Sequence, residues 1–187
     1  MAAIPLSVDP VIARALGAAL SVVFLAGAWQ KVREPLLFRA ALENYRLLPE
    51  RLTGLVARGL PLLEGSAGAL LLFAQTRAIG GGLAAALLCV VTAAVAINLW
   101  RGNAEIDCGC GGLGAAGDEQ PLSWGLVARN ALLLLAVPWA IADGTPRSLV
   151  GFDYLTVACA TLALLGLYLS ANQLLANQPR LRTLRNS

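Results

Sequence analysis

Five stretches of this chain run almost wholly apolar for about twenty residues each, and no other feature limits the fold so severely. At about 1.5 Å of rise per residue, a helix of that length crosses the hydrocarbon of a bilayer. Inside a bilayer the helix also satisfies every backbone amide within its own segment. The sequence therefore predicts an all-α integral membrane protein with spans at 11–30, 52–75, 78–100, 122–142 and 149–171. Composition agrees. With 58% hydrophobic and 13% charged residues, the chain departs from soluble domains, which are roughly half apolar and about one-quarter charged. A single membrane domain is expected over 1–187, with the lipid bilayer as its first partner. The net charge of +3 is small and the arginines are scattered, so nucleic-acid binding has no support.

The ends of the runs carry interface signals. Arg14 can snorkel from the start of the first span, and Trp29 with Lys31 marks its other end. Ala26-Gly27-Ala28 resembles a signal-peptide cleavage site, but no Lys or Arg precedes Arg14, so a retained span is expected. Between the first two spans the pattern changes. Pro35 suits a first helical position, and Arg39, Glu43, Arg46 and Glu50 then recur at helical spacing. Phe38, Ala41, Leu42, Tyr45 and Leu48 form a second stripe. This predicts an amphipathic helix at 35–48 lying on the membrane surface.

The second span is not clean, because Arg58, Pro61 and Glu64 lie in its first half. Glu64 falls about 14 Å below the expected boundary, where a carboxylate is costly and needs a partner or a wet cavity. The third span has Gly80-Gly81-Gly82 for close helix approach, Cys89 near its middle and Asn98 near its end. Ser123 is placed to cap the fourth span, which holds Arg129 and Asn130 one to two turns inside. Cys159 lies in the fifth; it and Cys89 read as small apolar packing residues.

With five crossings, the surface helix, the loop at 101–121 and the C-terminal tail share one membrane face. Lys31, Arg58, Glu64, Asn98, Asp107, Arg129 and Asn130 all lie toward it. Glu64 paired with Arg129 or Arg58 is the expected buried ion pair; holding helices together would by itself account for such a pair.

The chemistry is narrowed by what is missing. Zero histidines remove His-ligated haem, zinc or copper and any His-based dyad, and one methionine removes a thioether copper path. Cysteine remains, and the 101–121 loop holds Cys108 and Cys110 in Asp107-Cys108-Gly109-Cys110-Gly111-Gly112. Two cysteines one residue apart can close a small, strained disulfide, and glycine relaxes the backbone limits on that closure. Nearby carboxylates disfavour a free thiolate, while Arg101 or Arg129 could stabilise one. A redox pair, a structural loop and a soft-metal site all remain open, and the metal reading lacks the ligands to complete a site.

These residues together resemble a known family. Phe24-Leu25-Ala26-Gly27 leading to Lys31, the stretch Pro35…Phe38…Ala41-Leu42…Tyr45…Leu48-Pro49, Pro61…Glu64, the Asp-Cys-Gly-Cys-Gly-Gly run and Arg129-Asn130 are similar to the methylamine-utilisation protein family MauE, within the wider DoxX-like group. The resemblance implies a four-helix-bundle core beside the fifth span. It also implies a role in maturing a secreted subunit of periplasmic methylamine dehydrogenase, alongside a thioredoxin-like periplasmic partner. On that analogy Cys108 and Cys110 are the exchanging pair in a thiol-disulfide relay, covered by the surface helix. Arg129, Asn130, Glu64, Asn98, Arg58, Lys31 and Asp107 support or gate it, and a quinone is the electron acceptor by fold-level analogy alone. The alternatives are a non-catalytic scaffold that docks the thioredoxin-like protein, and a small-solute or metal carrier. The expected location is the bacterial inner membrane. Counting Lys and Arg places the cysteine loop in the cytoplasm, disulfide chemistry places it in the periplasm, and the reading follows the chemistry.

Overall fold

Pro10 opens the first helix at a position where its missing N–H costs nothing, and the Asp9 carboxylate accepts from Val11 N at 2.9 Å to cap it. The computed structural model describes residues 8–106, 108–109, 121–142, 145 and 147–185, with side chains described through 177. Six helices follow one another: α1 (Pro10–Arg33), α2 (Pro35–Tyr45), α3 (Glu50–Leu72), α4 (Arg77–Trp100), α5 (Trp124–Ile141) and α6 (Gly151–Arg185). All but α2 are long and apolar enough to cross a membrane. The protein is an all-α membrane protein.

Helices α1, α3, α4 and α5 pack in a closed ring, with each touching its two neighbours, and form the four-helix bundle. Leu20 and Phe24 of α1, Leu71 of α3, Leu87 and Leu88 of α4 and Val137 of α5 meet in its core. Close approach rests on small residues, as membrane helices without a hydrophobic drive between them require. A side chain at Gly68 would meet the Ser21 carbonyl of α1 at 3.0 Å, and Ser21 Oγ donates to the Gly68 carbonyl at 2.7 Å. α6 lies outside the ring, mainly against α1, and none of its most apolar 18-residue window is buried.

Some details differ from the sequence expectation. The surface helix ends at Tyr45 rather than 48, because Arg46 turns left-handed at φ 48° and Pro49 then starts a new helix. α6 continues well past 171. Ser123 stands at the start of α5 but makes no capping bond, and its Oγ is buried without a partner among the described residues. Cys89 and Cys159 do not pack in the core; both are exposed on outward helix faces.

Candidate functional site

α2 is held down onto the bundle by its apolar stripe. Phe38, Ala41 and Tyr45 are buried, while Leu36 and Leu37 point outward at 80% and 67% exposure. What they cover is the loop after α4. Gly109 takes φ +61°, a left-handed conformation costly for residues with a side chain, and a Cβ there would lie 2.9 Å from Ala41 Cβ. Glycine is therefore needed twice over, for conformation and for space. Beside it, Tyr45 Oη donates to the Cys108 carbonyl at 3.0 Å. Cys108 is only 5% exposed and packs with Tyr45, Val95, Leu122 and Leu126. It also borders a cavity of about 260 Å³ roofed by Ala41, Leu42 and Tyr45 and floored by residues such as Leu60 and Val90.

Cys108 sits beneath the surface helix, against its apolar stripe, and is not exposed at the membrane surface. Cys110 and Asp107 lie outside the described residues.

The buried ion pair is also different from the one expected. Glu64 pairs with Lys31 at 2.8 Å, with side chains only 11% and 8% exposed, and not with Arg129 or Arg58. The reason is helical register. Pro61, Glu64, Gly68 and Leu71 share the buried stripe of α3, and Arg58, about 120° around the helix from Glu64, is exposed. Lys31, in the last turn of α1, faces that stripe across Gly27 and also lies 5.4 Å from the Phe38 ring centre. The ammonium thus ties α1, α2 and α3 together.

Arg129 sits on α5, half-buried. Its Nη2 donates to Asn130 Oδ1 at 3.0 Å, its Nη1 to Asn172 Oδ1 of α6 at 2.7 Å, and its guanidinium lies 5.7 Å from the Tyr168 ring centre. Lys31, Glu64, Arg129, Asn130 and Tyr168 line one small cavity of about 70 Å³ inside the bundle. Four of the expected polar residues are therefore brought together. Asn98 is not one of them. It is fully buried, bonds the Ala94 carbonyl at 3.1 Å and accepts from Asn103 at 3.4 Å, so it fixes the exit of α4 into the loop. Sequence reasoning missed Tyr168 and Asn172, although an i,i+4 polar pair on an otherwise apolar span was the available signal. Among the described residues, no group of three or more His, Cys, Asp or Glu converges as metal ligands would.

The comparisons with known proteins agree with one another. The family model described as methylamine utilisation protein MauE matches residues 9–143, which takes in the whole four-helix bundle and α2. The methylamine utilization protein MauE of Paracoccus denitrificans is 39% identical over 141 residues, covering 75% of this chain and 74% of that protein. The protein of the same name from Paracoccus versutus is 36% identical over 168 residues, covering 89% and 88%. That of Methylorubrum extorquens is 36% identical over 167 residues, covering 86% of each. No solved structure is a significant match. By the family model and by these relatives, the chain belongs to the MauE family of methylamine utilisation proteins.

Proposed function

We propose that this membrane accessory protein of methylamine utilisation is a thiol-disulfide relay or maturation factor for the secreted methylamine dehydrogenase small subunit, with Cys108 and Cys110 as the exchanging pair. The observation that carries the reading is the socket around Cys108. The residue is held by Tyr45, by the left-handed Gly109 and by a surface helix that is not itself a span. A thiol stored under a surface helix is protected from water and reached when that helix shifts. The hinge positions are at hand in the Glu34 break before α2 and the left-handed Arg46 after it.

The exchange needs no group beyond the two proteins. One loop cysteine, as thiolate, attacks a sulfur of the partner's disulfide, forms a mixed disulfide and releases the partner's second sulfur as thiolate. The other loop cysteine, deprotonated, attacks the mixed bond, leaving the loop oxidised and the partner a dithiol. Run in reverse, the same steps oxidise a partner dithiol. The reading places the loop on the periplasmic side of the inner membrane, facing a thioredoxin-like protein. The cavity beside Cys108 has an almost wholly apolar lining, and among the described residues its one hydroxyl, on Tyr45, donates to the Cys108 carbonyl; a quinone acceptor rests on analogy at the level of the fold. No step is routed through a quinone here.

The test is genetic and chemical together. Cys108→Ser and Cys110→Ser, each alone, are expected to stop small-subunit maturation in cells grown on methylamine, with the variant protein still present in the membrane. Full maturation with both replaced would sink the relay. That result would instead support the second reading, a scaffold that docks a thioredoxin-like protein, which the burial of Cys108 favours. A solute or metal carrier is the third reading, resting on the charged cavity at Lys31, Glu64 and Arg129, and uptake into proteoliposomes tests it.

A further inference from the structure

Lys31 and Arg33 both lie in the last turn of α1, at the same membrane face, and do opposite things. Arg33 reaches out over the exposed Trp29 ring, 5.5 Å from its centre, as a cation at the end of a span ordinarily does. Lys31 turns inward. It is only 8% exposed, and its Nζ donates to Glu64 Oε2 at 2.8 Å and to the Gly27 carbonyl at 3.5 Å. The Phe38 ring of α2 closes over it, with the ring centre 5.4 Å away. Tying α1 to α3 requires only the carboxylate. The aromatic face is a further partner for the buried ammonium, and it is supplied by the helix that crosses no membrane.

The same ring has a second neighbour. Its Cδ2 and Cε2 lie 3.6 and 3.9 Å from the point where a Cβ would stand on Gly109, the residue after Cys108. Phe38 is therefore wedged between the ion pair and the cysteine turn. Two helical turns along the same buried stripe, Tyr45 makes the other contact with that turn, through the Cys108 carbonyl. Ala41, between them, faces Gly109. Elsewhere α2 is loosely fastened. It packs mainly on α3 and sparsely on α1, and behind Ala41, Leu42 and Tyr45 lies the apolar cavity of about 260 Å³. Close packing alone does not hold this helix in place.

We infer that Lys31, Glu64 and Phe38 are the latch of the cover over Cys108. Glu64 fixes the ammonium, the ammonium fixes the Phe38 ring, and the ring fixes α2 on the cysteine turn. All three are positioning residues, acting on the thiol through α2. The consequence for exchange rests on the thiol reading above: the latch sets how often Cys108 is presented to a partner. The latch itself stands on the packing of α2 and holds or fails without that reading.

The test follows Cys108 in the full-length protein in lipid nanodiscs, in a Cys110→Ser background that leaves it the single thiol of its loop. Maleimide labelling is timed and mapped by peptide mass spectrometry. Labelling proceeds from the open form, so its rate reads the open fraction. Lys31→Met together with Glu64→Met removes both charges, keeps the bulk and strands no ion. Its unfolding midpoint should stay near that of the parent, yet Cys108 labelling should rise about tenfold, the share of closure that one buried ammonium–ring contact supplies. Phe38→Leu should raise labelling by a similar factor alone and by nothing further in the double-methionine protein, because ring and ammonium act as one unit. Amide exchange over α2 should rise in step in each variant, which separates opening of the cover from a change in the thiol's own reactivity. A pair that merely held α1 to α3 would leave labelling and α2 exchange at the parent rates in the double-methionine protein, and that result overturns the latch. Full additivity overturns it too, since Phe38 and Lys31 would then hold α2 independently. Should the double-methionine protein unfold, Phe38→Leu still decides, because it keeps the ion pair; unchanged labelling there overturns the latch. Small-subunit maturation with both loop cysteines replaced would remove the relay and leave all of these rates as they are.

Discussion

Two charged clusters of this protein have nearly the same geometry and sit at opposite ends of the bundle. Toward the cysteine-loop face, Lys31 and Glu64 meet at 2.8 Å with side chains 8% and 11% exposed. At the other end, Arg147 meets Asp153 at 2.9 Å and Asp9 at 3.8 Å, with the Arg147 side chain 49% exposed. Distance alone would rate them alike. Physics does not, because an ion pair in water gives back in lost hydration most of what it gains, whereas a buried charge that loses its partner has nowhere to go. The first cluster is thus a structural commitment deep in the fold, tied to the helix that covers Cys108. The second is a clasp that fastens the start of α1 to the connection before α6, beside the backbone bond from Thr145 N to the Val8 carbonyl at 3.1 Å.

The sharpest way to break this contrast is Glu64→Ala. Stranding the Lys31 ammonium is expected to cost about 3–5 kcal/mol, read as a large drop in the thermal unfolding midpoint in detergent. Replacing both residues with methionine should recover most of the loss, since two apolar side chains of similar length fill the space without a charge. A double variant no better than the single would show that the pair is not coupled. If Glu64→Ala costs no more than removing Arg147, burial is not what separates the two clusters.

The fold was legible because its signals are long. Five apolar runs and an amphipathic stripe between Pro35 and Pro49 leave little choice of architecture, and five helices of spanning length with α2 between α1 and α3 are what the chain forms. The candidate site was legible in part. Lys31, Glu64, Arg129 and Asn130 were visible as polar residues on one side of the membrane, and they do line one cavity. Their pairing was not visible, because it depends on which stripe of α3 turns inward, and that is set by Pro61, Gly68 and Leu71 packing against other helices. The contact between Tyr45 and Cys108 joins residues 63 positions apart, and no local pattern encodes it. Ser123 shows the reverse failure: a strong local capping signal without the bond it predicts.

Tyr45→Phe probes the link between the covering helix and the loop. It removes the hydroxyl and leaves the ring, so the expected loss is that of the neutral hydrogen bond to the Cys108 carbonyl, about 1 kcal/mol. The more telling readout is chemical. With the bond from Tyr45 to the Cys108 carbonyl gone, alkylation of Cys108 in the folded protein should speed up several-fold relative to the unsubstituted protein. Unchanged alkylation would mean that the aromatic packing of Tyr45 with Val95 and Leu126, rather than its hydroxyl, keeps the loop closed.

The smallest effect belongs to the exposed clasp. Arg147→Ala removes both of its ion pairs, yet the expected loss is about 0.2–1 kcal/mol, because the guanidinium is half in solvent. Its carboxylate partners also keep other work. Asp9 still caps Val11, and Asp153 still accepts from Val150 N at 3.0 Å. The loss should fade as salt is raised, since at about 1 M the screening length falls to about 3 Å, while the Glu64→Ala loss should persist, shielded by the bundle. A salt-resistant loss at Arg147 would place the clasp in a water-poor environment, and the two ends of the bundle would then obey the same electrostatics after all.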